Sequence, residues 1–309
     1  MAVTTLRKLV RASRNHQLTW RYGFNLAPTI SYKLSHRELS GEAKRVQTEL
    51  NRVGMSITSA ERLLDDQELF SELRATVEIL ERDQAKSLEE KRTVANRSAA
   101  IGQKTFNVEL LGSRPVLEPE SVYARFALQN PILQIANAYF GMYTRLRYYN
   151  VWHTFATQTE ARESQLWHHD REDHFILKVF VYLSDVDDTA GPFTYAPGSH
   201  LKIGLKKFPE STVEGGVRRS DDSQMAEVLA EKHWIRATGP KGTIVFADTR
   251  GFHKGRLARQ NDRLMYLCMF TSQASESTEL FMLPRKLEPP KDKAAYFALS
   301  NRLKQQNSY

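Results

Sequence analysis

The stretch "WHHDRED", residues 167 to 173, sets two histidines directly before an aspartate in a chain with only nine histidines. Two imidazoles and a carboxylate on one side of a metal ion are the usual donor set of mononuclear non-haem iron, and they leave further coordination positions open. On an extended chain, successive side chains point to opposite faces, so residues i and i+2 share a face. His168 and Asp170 can therefore converge on one ion, whereas His169 turns the other way. The pair alone is weak evidence, because this composition gives about one His-x-Asp/Glu match by chance. His36, Arg37 and Glu38 form another such match, but within a helical pattern, where i and i+2 diverge.

A third ligand must come from elsewhere in the chain. His253, in "GTIVFADTRGFHKG", follows an apolar strand pattern and a loop, and stands just before a further strand. It is favoured over His174, which needs a sharp return of the chain, over His200 in a "PGSH" turn, and over His233 in a helical-looking tract. Ten residues beyond His253, Arg263 opens the strand "RLMYLCMFTS". A guanidinium in an apolar strand is costly unless it meets an anion, and it suits bidentate carboxylate binding. The alternatives are an edge arginine in solvent or one paired to a protein carboxylate such as Asp248. Lys178 shares the parity of Phe180 and Tyr182, so it points into the barrel or snorkels at its rim.

The elements that position these residues fall in two textures. The first half reads as helical. Ser35 and Glu38 have capping-box spacing, and Ala43, Val46, Leu50 and Val53 follow at helical intervals up to Gly54. Thr58 and Glu61 repeat the capping spacing before the stripe Leu69, Leu73, Val77 and Leu80. Asn130-Pro131 starts a helix and Gly141 ends it. From residue 143 the chain is rich in aromatic and β-branched runs: "TRLRYYNVWHTF", "HFILKVFVYLSD", "PFTYAPGSH", "GTIVFAD" and "RLMYLCMFTS". The polar tract between 201 and 240 is long enough to be a lid or insertion, and "KDKAAYFALSNRLKQQ" returns to helix. The expected organisation is one domain over 1–309. It has a mostly helical part at 1–142, a strand core at 143–275 interrupted by the 201–240 insertion, and a helical extension at 276–309.

Composition narrows the class. Hydrophobic residues at 41 % and charged residues at 26 % describe an ordinary globular chain. A single cysteine, Cys268, excludes a disulfide framework and any cysteine-rich metal site, and it fits a reducing, cytoplasmic location. No apolar run approaches the ~20 residues of a membrane span. The opening "MAVTTLRKLVRASRNHQLTWRYGF" lacks the apolar core of a signal peptide. It is basic, which leaves a surface-binding or organelle-targeting role open. The net charge of +8 favours anionic ligands, and it reads as a diffuse excess rather than the focused patch of a nucleic-acid binder.

Taken in order, these segments resemble the phytanoyl-CoA dioxygenase family of iron(II)- and 2-oxoglutarate-dependent oxygenases. The resemblance rests on "WHHD", "VYLSDVDDTAGPFTYAPGSHLK", "KGTIVFADTRGFHKG" and "NDRLMYLCMF", with "LSGEAKRVQTELNRVGMSI" similar to the entry helix and first strand. It spans roughly residues 40 to 272. It implies a mainly β fold with helical additions: a double-stranded β-helix (cupin-like jelly roll) flanked by helices. It also implies iron held by His168, Asp170 and His253, with Arg263 on the distal carboxylate of 2-oxoglutarate. Asn150 becomes a hydrogen-bond donor to the same co-substrate. The implied reaction consumes molecular oxygen, releases succinate and carbon dioxide, and hydroxylates an unactivated C–H bond. The charged tract around Trp167 and the long charged helix from 66 to 92 depart from the family pattern and favour a small, polar or anionic metabolite over a fatty acyl thioester. Two alternatives remain at this stage: a nucleic acid demethylase of the same superfamily, and a non-catalytic jelly-roll binding protein.

Overall fold

The computed structural model describes residues 16–306 apart from 37, 98–103, 202–203, 215, 276–278 and 285–286. Residues 1–15 of the basic opening, and the gaps in the 201–240 and 276–309 segments, lie outside the described residues. In chain order the strands are β1 (Met55–Ser59), β2 (Asn107–Glu109), β3 (Arg145–Thr154), β4 (Leu177–Tyr182), β5 (Phe193–Tyr195) and β6 (Thr212–Glu214). They continue with β7 (Val217–Arg219), β8 (Ile235–Ala237), β9 (Thr243–Asp248), β10 (His253–Gly255) and β11 (Arg263–Thr271).

Six strands form a major sheet in the order β1-β9-β4-β11-β3-β2, and three form a minor sheet in the order β10-β5-β8. Every pairing in both sheets is antiparallel. An antiparallel bridge from His168 to His253 adds the 167–168 segment as a fourth member of the minor sheet. This is the jelly roll implied by the family resemblance, with helices packed on the outer face of the major sheet.

The major sheet is buried on both sides, which explains its continuous apolar runs. In β11 every residue is buried. Tyr266, Cys268 and Phe270 join the helical core with Val179, Val181 and Phe246. Met265, Leu267 and Met269 face the minor sheet, with Phe180, Tyr182, Phe193 and Tyr195. Strand parity thus divides one sequence between two cores.

The helix Gly41–Val53 buries Val46 and Leu50 and stops at Gly54, whose φ of 87° is left-handed. A Cβ there would lie 2.3 Å from the Tyr195 hydroxyl, so only glycine fits. Its N-cap residue is Ser40, because Ser35 closes the preceding helix Leu26–Ser35. Thr58 lies within β1; Ser59 caps the short helix Ala60–Leu63, and Asp66 caps Gln67–Asp83. The N-terminal part is therefore not only helical, since it supplies both edge strands of the major sheet. The 201–240 segment likewise carries a β6–β7 hairpin and the minor-sheet strand β8.

Two outer helices are tied to the sheet by a half-buried polar cluster. His153 of β3 contacts Glu81 through Nδ1 at 2.6 Å and Asp262 through Nε2 at 2.8 Å, and Arg92 donates to Asp262 at 3.0 Å. Burial opposes protonation of His153, but the bonds to Asp262 and Glu81 outweigh it and raise its pKa from 6.5 to about 8. The resulting stability is complete below pH 6.5 and is lost as pH rises through 8. Its size is about 2 kcal/mol. Thermal melts across this range will show the loss in the wild type and a flatter profile in His153→Gln; equal slopes would contradict the assignment.

Candidate metal centre

His168 and His253 exchange both backbone hydrogen bonds, N–H to carbonyl, at 3.0 and 2.9 Å. In an antiparallel pair of this kind the two side chains rise from the same face. The imidazole centroids are accordingly 4.3 Å apart. Asp170 is fixed two residues later by its own N–H, which donates to the Thr249 carbonyl at 2.8 Å. One donor atom from each of His168, Asp170 and His253 lies within 4.8 Å of the others, close enough to share an ion.

The protonation states suit ligands. Nδ1 of His168 lies 2.8 Å from the Leu166 carbonyl, and Nδ1 of His253 lies 2.9 Å from that of Gly251. A carbonyl accepts only from an N–H, so the neutral rings keep their Nε2 lone pairs free. Burial, reinforced by the neighbouring His253, lowers the His168 pKa well below its ordinary value. Burial, aided by Lys178, lowers that of His253 to about 4. Burial works against ionisation of Asp170, but Lys178 and the two imidazoles prevail and hold its carboxyl below the usual range. Of the two directions that parity allows Lys178, the structure shows the inward one, where it pairs with Asp170 Oδ2 at 2.6 Å.

These groups share one cavity of about 560 Å³. Arg263 lies in its wall, 5 % exposed. Nη2 reaches Thr154 Oγ1 at 3.4 Å, while Nε and Nη1 are buried with no hydrogen-bond partner. Neither alternative for this arginine holds: it is not an edge residue in solvent, and Asp248 is paired with Arg250 instead. His169 reaches the rim, where its ring packs against Phe252 and its Nε2 meets Arg171. The other histidines are elsewhere. His174 packs on Trp20, the buried His200 lies by Gly54, and His233 is exposed.

Asn150 does not join the site. It is fully buried, but its amide donates to the Gly112 carbonyl and the Tyr148 hydroxyl and accepts from the N–H groups of Leu111 and Val151. Its hydrogen-bonding capacity is spent on the loop after β2, so it has nothing to offer a co-substrate. Trp152 and Thr154, of the same parity, line the cavity instead. Sequence reasoning also missed the β6–β7 hairpin at the mouth, which presents Val217, Arg218 and Arg219. Arg219 pairs with Glu163 at 2.7 Å. Glu163 is the one non-glycine residue with positive φ among the described residues, at 51°, and this clamp holds it beside the lining residues Ser164 and Gln165.

A jelly roll whose cavity holds a His/Asp/His cluster and a buried arginine defines the iron(II)- and 2-oxoglutarate-dependent oxygenases. The family model described as phytanoyl-CoA dioxygenase matches residues 57–262, and the chain belongs to that family. None of the curated proteins matches the sequence. Among solved structures, it is similar to EctD from S. alaskensis with 2-oxoglutarate and 5-hydroxyectoine, at 18 % identity over 78 % of this chain and 80 % of that one, TM-score 0.50. The same enzyme with bound Fe gives 16 % identity over 80 % and 84 %, TM-score 0.50. The epimerase SnoN in complex with Fe3+, alpha ketoglutarate and nogalamycin RO gives 19 % over 74 % and 83 %, TM-score 0.46. The EctD likeness shows a shared fold.

Titration calorimetry with a divalent metal under anaerobic conditions tests the cluster. His168→Ala, Asp170→Ala and His253→Ala will each lose metal binding, and His169→Ala will retain it. Equal loss in all four variants would contradict the geometry.

Proposed function

We propose that this oxygenase hydroxylates an unactivated C–H bond of a small polar metabolite carrying an anionic group. In this reading iron is held by His168, Asp170 and His253, and the distal carboxylate of 2-oxoglutarate by Arg263. The observation that carries it is the coexistence, in one cavity, of three convergent donors and a buried guanidinium with unpartnered N–H groups. The donor set fits the metal: two neutral imidazoles and an ionised carboxylate suit ferrous iron and leave positions open.

Bound iron supplies the one-electron chemistry that couples oxidative decarboxylation of 2-oxoglutarate by dioxygen, with release of succinate and carbon dioxide, to oxidation of the C–H bond. The protein's residues prepare this. Burial of Arg263 disfavours its charged form, and a carboxylate there answers both the charge and the empty N–H groups. Lys178 restrains the Asp170 carboxylate through Oδ2. Trp152, Phe180, Phe193 and Met265 form an apolar wall that keeps water from the reacting carbon.

The anionic assignment rests on the mouth. Arg219 and Arg256 are paired with carboxylates, but Lys104, Arg171 and Arg218 line the cavity without an ion pair among the described residues. Among the described lining residues only Asp170 and Glu172 are acidic. A cavity of one sign attracts a ligand of the other. A cytoplasmic location belongs to the same reading, supported by a lone, buried Cys268.

Succinate release measures both parts. Arg263→Ala will raise the 2-oxoglutarate requirement roughly 10- to 100-fold, the worth of a charge-assisted pair, with turnover recovered at high co-substrate. An unchanged requirement would contradict its role. Among small acids and their neutral amides, acids alone will accelerate turnover above the substrate-free rate, and Arg218→Gln will raise their KM without altering that for 2-oxoglutarate. Equal acceleration by acids and amides would remove the anionic assignment.

A further inference from the structure

The positive excess, which reads as diffuse over the whole chain, is concentrated in sequence at one end. Residues 1–37 contain seven Lys and Arg and no Asp or Glu; removing those seven from 44 leaves 37 basic against 36 acidic residues in the rest of the chain. Almost the whole net charge of +8 therefore belongs to the N-terminal segment. The described part of that segment is helical, through Gln17–Thr19, a wide π-turn at Trp20–Phe24, and Leu26–Ser35.

One face of this segment is bound to the body of the protein. Trp20 is buried, donates from Nε1 to Asp173 at 2.8 Å and packs on Phe175. Asn25 is buried and accepts from the Ala274 N–H at 3.0 Å. The other face is apolar and, among the described residues, uncovered. Leu18, Tyr22, Leu26, Ile30 and Leu34 recur at every fourth residue and are 62, 46, 45, 46 and 83 % exposed. A four-residue spacing keeps successive side chains adjacent on a helix surface. Lys33 stands exposed beside Leu34, and Lys293 of the C-terminal helix reaches Ser35 Oγ at 3.3 Å, so cations flank one end of the stripe.

We propose that this face docks the protein onto an anionic lipid surface, with the apolar stripe in the headgroup boundary and Lys33 and Lys293 among the headgroups. Contiguous exposed apolar surface marks an interaction site, and basic residues beside it are the pattern of helices that lie in a membrane interface. A second copy of the chain is the poorer occupant, because each segment carries seven Lys and Arg and no Asp or Glu, so two copies would present like charge to one another. Nucleic acid would meet the charges but leave the stripe unburied. This docking is independent of the chemistry proposed for the cavity.

Sedimentation of the full chain with lipid vesicles tests it. Binding to vesicles in which a third of the lipid is phosphatidylglycerol will exceed binding to pure phosphatidylcholine at least about tenfold, since each basic residue near an anionic surface is worth roughly fivefold. Added salt will weaken it. Leu26→Asp/Ile30→Asp will lose at least about tenfold at an unchanged melting temperature. If the aspartates disturb folding, Leu18→Ser/Leu34→Ser, at the two most exposed positions, takes their place with the same expectation. Equal binding to both vesicles, or undiminished binding by the folded variants, overturns the proposal. So does a lipid-free dimer that the variants dissolve.

Discussion

Two backbone hydrogen bonds between His168 and His253 hold the site together. They join residues far apart in sequence, they extend the minor sheet, and they fix two imidazoles on one face at a separation set by antiparallel geometry rather than by side-chain packing. Asp170 follows from the same constraint, because an extended chain returns to that face two residues later and the Asp170 N–H is held by Thr249. A ligand set built on strand backbone is stiffer than one built on loops, which suits a centre whose open positions must stay in place.

Around that framework the charges are arranged as deficits. Lys178 neutralises Asp170 within the cavity, whereas Arg263 is buried with two nitrogen groups unanswered by protein. Leaving a buried guanidinium without an anion costs on the order of several kcal/mol. A carboxylate bound at Arg263, as proposed, would relieve part of that cost. The neighbouring arginines differ in kind: Arg219 and Arg250 have protein carboxylates and serve the architecture, one clamping Glu163 and the other anchoring Asp248.

Strand parity and segment order made the core of this site legible in the sequence. Alternation separates His168 and Asp170 from His169, position between two strand patterns marks His253, and a charge in an apolar strand marks Arg263. Parity reports a face but not a partner, and there the reading stopped. Lys178 and Asn150 both had inward parity; one found Asp170, and the other was taken up by the loop at Leu111 and Gly112, some forty positions earlier. Three-residue strands such as β2, β6 and β8 carry too little pattern to be seen locally, so the hairpin at the mouth was hidden inside a polar insertion. Capping spacing misplaced two helix starts for a similar reason. Ser35 has the spacing to Glu38, whereas the N-cap residue, Ser40, has Ala43 three residues on and makes no side-chain cap bond, so the spacing rule does not mark it.

The proposed site joins a metal face set by one strand bridge to a co-substrate anchor across the same cavity. Its most direct test is an anaerobic titration of the iron(II)-loaded protein with 2-oxoglutarate, followed by visible absorption. A keto acid chelating ferrous iron beside Arg263 predicts a saturable charge-transfer band that is absent with iron alone. Loaded protein that shows no new band at saturating 2-oxoglutarate would contradict the claim that these residues form one site.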